Sequence, residues 1–157
     1  MDASEFRRIL GHWGTGVAVV TTRLPDGRPW GLTANAFASV SLEPPLVLVC
    51  VDLTSDTHAG LRAAGVFAVS VLAADQERLA RRFADGQVGD KFEGIAWRVE
   101  TSGAPVLEDV TAWVDCRVHA EHPAGDHSIF VGEVVAGGAA GAAPLLYYRG
   151  GYGRFEP

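Results

Sequence analysis

Residues 32–51 read LTANAFASVSLEPPLVLVCV, which sets Thr33, Asn35, Ser39 and Ser41 immediately before a run of apolar, β-branched residues. Small hydrogen-bonding groups on a loop, with an apolar strand as the wall behind it, suit the polar edge of a planar heterocycle. They suit equally well a Ser/Thr-rich connection that satisfies its own backbone. A few residues on, VDLTSDTHAGL leaves the strand and opens a helix with Thr54, Ser55 and Thr57 gathered at its start. Free amides at a helix N-terminus together with hydroxyls attract an anion, the dipole contributing roughly 0.3–1 kcal/mol at exposed sites. Plain N-capping is the commoner use of such residues. A ring-facing loop followed at once by an anion-binding turn points to a nucleotide-like cofactor with one phosphate.

Other chemistries find less support. Gly14-Thr15-Gly16 is followed by Val19 where a third dinucleotide-binding glycine would fall, and the segment leads into a strand rather than a helix. Neither a Walker sequence nor a GxSxG nucleophile elbow occurs. His119 and His122 have an HxxH look, but an offset of three puts them on opposite faces of a regular strand, so no metal is expected. Twelve of the thirteen basic residues are Arg, leaving Lys91 as the one flexible ammonium. His127 is a polar residue entering a strand after the turn PAGD.

The elements that must position these groups are mostly strands. Residues 17–22, 46–51, 66–71, 112–122 and 129–137 are β-branched runs, and the tail PLLYYRGGYGRF supplies one or two more. In the 112–122 segment Val114, Cys116, Val118 and Ala120 alternate with Asp115, Arg117, His119 and Glu121, the pattern of a strand with one buried face. Helices are expected over 4–10, 57–64 and 75–83, the last with an acidic first turn and a basic last one. Too few helices for repeated βαβ units favour a mainly β protein, a closed antiparallel barrel with helices packed outside.

At 157 residues the chain fits a single domain, residues 1–157, that hides about 70% of its unfolded surface. With 48% hydrophobic and 20% charged residues it is globular rather than disordered. A net charge of −6 without a basic stripe argues against nucleic acid as partner. No secretory leader is legible and no run approaches the roughly 20 apolar residues that span a bilayer, so the expectation is a cytoplasmic protein with no membrane partner. Cys50 and Cys116 sit in apolar segments and are expected as reduced thiols.

Over residues 6–155 the sequence resembles the short-chain flavin reductases, the flavin-reducing partners of two-component monooxygenases. The resemblance rests on FRRILGHWGTGVAVVTT, GLTANAFASVSLEPPLVLVCV, TSDTH, RRFADGQVGDKFEGIAW, GDHSIFVGEV and PLLYYRGGYGRF, in that order. It implies an antiparallel split β-barrel with a few flanking helices, binding FMN, or FAD, noncovalently. The loop Thr33, Ala34, Asn35, Ala36, Ser39, Val40 and Ser41 would hold the flavin, with Cys50, Val51 and Asp52 along the ring and Ser55 and Thr57 at the phosphate. Lys91 and Phe92 would lie near the ribityl or phosphate end. Asp126 and His127, with Tyr152 as a further candidate, would meet the nicotinamide. Two positions depart from the family: Ala36 stands where many relatives carry Ser, and Asp56 sits inside the phosphate turn.

The implied activity is that of an NAD(P)H:flavin oxidoreductase. Hydride passes from NADH or NADPH to flavin N5, and reduced flavin serves a separate monooxygenase. Hydride transfer is the cofactors' own chemistry, so the protein's task is to orient two rings and exclude water, with His127 placing the nicotinamide. A homodimer is expected, since Trp13, Trp30 and the aromatic tail offer apolar surface. The competing reading is a flavin-binding electron carrier or storage protein without significant NAD(P)H turnover. A barrel like that of pyridoxamine-phosphate oxidases is disfavoured by the scarcity of basic residues around the phosphate turn.

Overall fold

The computed structural model describes residues 1–156. Its helices are α1 (Ala3–Leu10), α2 (Asp56–Ala64) and α3 (Glu77–Ala84). Strands β1 (Thr15–Gly16), β2 (Ala18–Arg23), β3 (Pro29–Ala34), β4 (Phe37–Leu42) and β5 (Pro45–Asp52) precede α2, and β6 (Val66–Val71) lies between α2 and α3. After α3 come β7 (Trp97–Val99), β8 (Pro105–Leu107), β9 (Ala112–Ala124), β10 (His127–Ala139), β11 (Leu145–Tyr148) and β12 (Gly151–Arg154). The five strands and three helices expected from the sequence are all present, with ends shifted by up to two residues.

Seven strands form one antiparallel sheet in the order β3-β2-β6-β9-β10-β5-β4. Its edge strands β3 and β4 are consecutive in the chain and joined only by Asn35 and Ala36, so the sheet must curl until its two edges meet at that corner. No ladder joins β3 to β4. The barrel expected as closed is therefore split along this seam. A smaller sheet, β1-β11-β12, is tied on by Val17 N–H to the Leu145 carbonyl and Leu145 N–H to the Leu72 carbonyl.

Inside the curl, Val20, Val49, Leu61, Phe67 and Phe130 are fully buried, each contributing about 1.5–3 kcal/mol. A second cluster, with Val19, Leu72, Phe83 and Phe92, fills the space between the large sheet and α3. Helix α2 lies on β2 at short range: a side chain at Gly60 would begin 2.9 Å from Thr22 Cγ2 and 3.0 Å from the Arg23 carbonyl oxygen. Gly65 ends that helix at φ 66°, a left-handed conformation that glycine adopts at no steric cost.

Two expectations need correction. Residues 33–41 are not one loop but the end of β3, a two-residue turn and strand β4. Their small side chains give little strand signal. Pairing with β5 (Phe37 opposite Val49, Ser39 opposite Val47, with Val40 bulged out) makes the strand. The second correction is in β9, where Asp115 is wholly buried although its parity predicted exposure. The hairpin β7–β8 covers that outer face, packing Ala104 and Val106 on Ala68, and Asp115 accepts hydrogen bonds from the backbone N–H (2.7 Å) and hydroxyl of Ser102. Both cysteines are free, and burial with the Asp115 charge pushes the Cys116 thiol up to about 12.

Candidate functional site

The corner where the sheet fails to close is also where most of the expected site residues gather. The Ala36 carbonyl accepts from Cys50 N–H at 3.1 Å, which places the Asn35 and Ala36 turn beside the end of β5. Two residues along, Asp52 stands opposite His127 in the β5–β10 register, and Leu53 N–H donates to the Asp126 carbonyl at 3.0 Å. Strand spacing and rise then put the turn roughly 10 Å from His127, at the same end of the sheet.

On the other side of the turn, Thr33, Ala34 and Asn35 share a cleft of about 210 Å³ with Val17, Tyr147 and Tyr152. Thr33 directs its hydroxyl away, donating to the Ala80 carbonyl at 2.5 Å, so the residue anchors β3 to α3. Asn35 and Ala36 are exposed. A second cleft flanks the same turn, lined by Trp13, Thr15, Ala34, Asn35 and Phe37 among others. Thr15 Oγ1 is buried there without a hydrogen-bond partner, a polar group that folding would leave bare only at a cost of roughly 1–3 kcal/mol unless a ligand meets it.

Helix α2 opens at the same end. The Asp52 carboxylate accepts from both the Thr54 hydroxyl and its backbone N–H at 2.7 Å each, and these bonds hold it below the usual carboxylate range. That turn delivers Ser55 to the N-cap, where its hydroxyl accepts from His58 N–H at 3.1 Å. Asp56 is exposed, whereas Thr57 is buried to 1% exposure because α2 turns that face onto the sheet. Of the two hydroxyls expected at an anion, Ser55 alone is at the surface.

His127 begins β10 with its side chain 41% exposed, and its Nδ1 lies 2.6 Å from Asp126 Oδ1. A carboxylate on Nδ1 favours the tautomer with the proton there, leaving Nε2 as a free acceptor. Cys50 is half-buried, and desolvation raises its thiol, so it serves as neutral wall rather than nucleophile. Val51 points into the core. Ser39 and Val40 are exposed along the edge strand β4, and Ser41 accepts from Glu43 N–H at 3.2 Å, beyond the bulge and away from the corner.

Lys91 and Phe92, the pair from GDKF, lie where the end of α3 meets β3. Lys91 is 5% exposed; its Nζ donates to the carbonyls of Phe83 (2.8 Å) and Gly31 (3.2 Å) and lies 5.2 Å from the Trp30 ring centroid. Desolvation lowers its pKa, with Asp85 and Asp56 opposing. The lone ammonium thus clamps the end of α3 to β3. Phe92 packs edge-on against Phe83 in the second core. His119 and His122 are exposed on β9.

Sequence reasoning missed a buried network beside His127. Ser128, 1% exposed, donates to Glu121 Oε1 at 2.9 Å and lies 2.9 Å from His58 Nε2. Arg62 reaches the same carboxylate at 3.2 Å. These contacts fasten α2 to the start of β10, fixing Ser55 relative to His127. Thr15 and Tyr147 were missed as well. They stand opposite each other in the β1–β11 ladder, far apart in sequence, so nothing local marked them.

A family model described as a flavin reductase like domain matches residues 10–156. The FMN reductase (NADH) SmoA of Agrobacterium fabrum is 43% identical over 99% of this chain and 87% of its own length. The reductase subunit HsaB of a flavin-dependent monooxygenase from Rhodococcus jostii is 40% identical over 100% of this chain and 80% of its own. Among solved structures, the NADH:FAD oxidoreductase of Streptomyces globisporus superposes with a TM-score of 0.93 at 43% identity, covering 99% of this chain and 95% of that one.

Proposed function

This chain belongs to the flavin reductase-like family, and from that membership we propose that it is an NADH-dependent flavin reductase handing reduced flavin to a separate monooxygenase. The observation that carries the reading is the convergence, at the open corner of the sheet, of the clefts flanking Asn35, the N-terminus of α2 and the Asp126–His127 pair.

The residues present fit a flavin. The unpartnered Thr15 hydroxyl and the exposed Asn35 and Ala36 offer hydrogen bonds to a polar ring edge, and Val17 and Ala34 supply apolar wall. Bound flavin supplies the ring that accepts hydride. Every other task falls to the chain. The α2 amides and the Ser55 hydroxyl hold a phosphate, and exposed Asp56 can turn its charge outward. His127, braced by Asp126, presents Nε2 as an acceptor to the carboxamide N–H₂ of the nicotinamide. Tyr152 closes the far side of the cleft and keeps water out.

FMN is the proposed flavin, since one anion-binding helix terminus opens onto the corner. NADH is the proposed reductant, because relatives on both sides of the flavin choice are named for it. Steady-state oxidation of NADH tests the reading: a rate that rises with added free FMN supports it, and tight stoichiometric flavin with negligible oxidation would replace it with a carrier. Ser55→Ala should weaken FMN roughly tenfold or more and riboflavin much less, because the lost bond goes to a charged phosphate. Fluorescence titration of both ligands checks this, and equal weakening would move the phosphate elsewhere.

The proposed assembly is a homodimer. Helix α1 has eight residues and buries none of them, while isolated helices shorter than about 12–15 residues are marginal in water. Phe6, Ile9 and Leu10 form its apolar stripe, and Trp13, 74% exposed, extends it toward Tyr148. A second copy covering this stripe would stabilise the helix. Trp13→Asp should then raise the monomer fraction in light scattering at micromolar concentration, and a wild-type protein already monomeric with flavin bound would refute the assembly. Among the described residues no helix is long and apolar enough to cross a membrane.

A further inference from the structure

Of the five histidines, the fold buries only His58. It stands in the first turn of α2, where its backbone N–H meets the Ser55 hydroxyl at 3.1 Å and the Ser55 carbonyl at 3.0 Å. Its ring crosses to β10, with Nε2 2.9 Å from Ser128 Oγ and the ring edge-on to Phe130 at a centroid distance of 5.2 Å. The Ser128 hydroxyl has one proton and donates it to Glu121 Oε1, so toward His58 it accepts, and Nε2 carries the hydrogen. Arg62 holds the far oxygen of that carboxylate. Ser128 directly follows His127 on β10 and turns to the opposite, buried face. One side chain therefore meets both the residue at the phosphate turn and the neighbour of the residue at the nicotinamide. Helix α2 packs chiefly on β2 and β3, and β6 and β9 separate β2 from β10 in the sheet. The bonds through His58 and Glu121 join the two sides.

We propose that His58 and Ser128 are positioning residues that fix the phosphate grip at Ser55 relative to the nicotinamide grip at His127, so that the flavin's phosphate serves hydride transfer as well as binding. The proposal rests on the flavin reductase reading. A flavin held by its ring alone can tilt in an open corner. A phosphate anchored on α2 removes that freedom only when α2 is itself fixed to the strand that carries His127. Binding energy from a part of the ligand remote from the reacting atoms is then spent on the alignment of two rings. Riboflavin, which has no phosphate, draws nothing from this device.

The test is Ser128→Ala, with FMN and riboflavin titrated by fluorescence and their reduction by NADH followed by stopped flow. FMN should bind roughly fivefold or more weakly and riboflavin within about twofold of the wild type. At saturating flavin and NADH the wild type should reduce FMN roughly fivefold or more faster than riboflavin, and in the variant the two rates should agree within about twofold. Equal weakening of both flavins is the mark of a residue that only supports the fold, and it overturns the proposal, as do equal wild-type rates or no change at all. Ser55→Ala/Ser128→Ala should bind FMN within about twofold of Ser55→Ala alone, because both substitutions release one grip; losses that multiply overturn it. Should Ser128→Ala not fold, Glu121→Ala, on a partly exposed side chain, carries the same prediction. Glu121→Gln keeps an acceptor for the Ser128 hydroxyl and should stay within about twofold of the wild type, and a Gln variant as damaged as the Ala one removes the route through Ser128. A wild type that reduces neither flavin contradicts the reductase reading, and the titrations still decide the positioning. Selectivity for FMN in Ser55→Ala but not in Ser128→Ala keeps the phosphate at α2 and overturns the positioning.

Discussion

His127→Ala is expected to slow reduction of bound flavin by NADH on the order of a hundredfold while leaving flavin affinity within about twofold. His127 lies beyond the turn that meets the ring and is braced only by Asp126 and the β5–β10 register, so its loss disturbs no flavin contact named above. What goes is the acceptor that fixes the nicotinamide, and misplacement by about 1 Å costs on that order in rate. Because the residue orients and transfers no proton, the pH dependence of the residual rate should match the wild type. Stopped-flow reduction paired with a flavin titration reads both quantities. Wild-type rates at saturating and subsaturating NADH would return His127 to a structural role, and a large loss of flavin affinity would make Tyr152 the better partner for the nicotinamide.

Asp115→Ala is expected to destabilise the fold by about 3 kcal/mol. Two hydrogen bonds to a carboxylate are worth roughly 1.5–3 kcal/mol each, discounted here because Ser102 is half-buried and regains some water. For a chain of this length that corresponds to a fall in Tm of about 6–12 °C. Asp115→Asn, which keeps an acceptor in place, should lose about half as much. Thermal unfolding of the two variants decides it, and a shift under about 2 °C for Asp115→Ala would show that the hairpin β7–β8 is not held by this residue.

The contrast between these two residues shows what the sequence could carry. The helix-opening cluster at Thr54 and Ser55 and the β-branched runs of β2, β5, β6 and β10 are local signals, and each element stands where its pattern put it. Strand β4 has no such signal, since FASVSL becomes a strand only through its ladder with β5. Asp115 was misjudged because alternation reports one covered face, and the second cover comes from a hairpin with only three residues in each strand. At the candidate site, small polar side chains mark the stretch that turns at Asn35, whereas the directions of the Thr57 and Lys91 side chains are set by packing, α2 on β2 and the end of α3 on Gly31, which no local pattern carries. His58 and Ser128 are 70 positions apart, and no pattern in one stretch of chain announces that meeting.

The central claim is that the open corner binds flavin and nicotinamide in turn and lets reduced flavin leave. Its most direct measurement is anaerobic mixing of catalytic amounts of the protein with excess free FMN and NADH, following the flavin absorbance to completion. Many equivalents of FMN reduced per protomer, at a rate proportional to protein, is the result this account predicts. Reduction that stops at one equivalent per protomer, or that proceeds no faster than without protein, would contradict it.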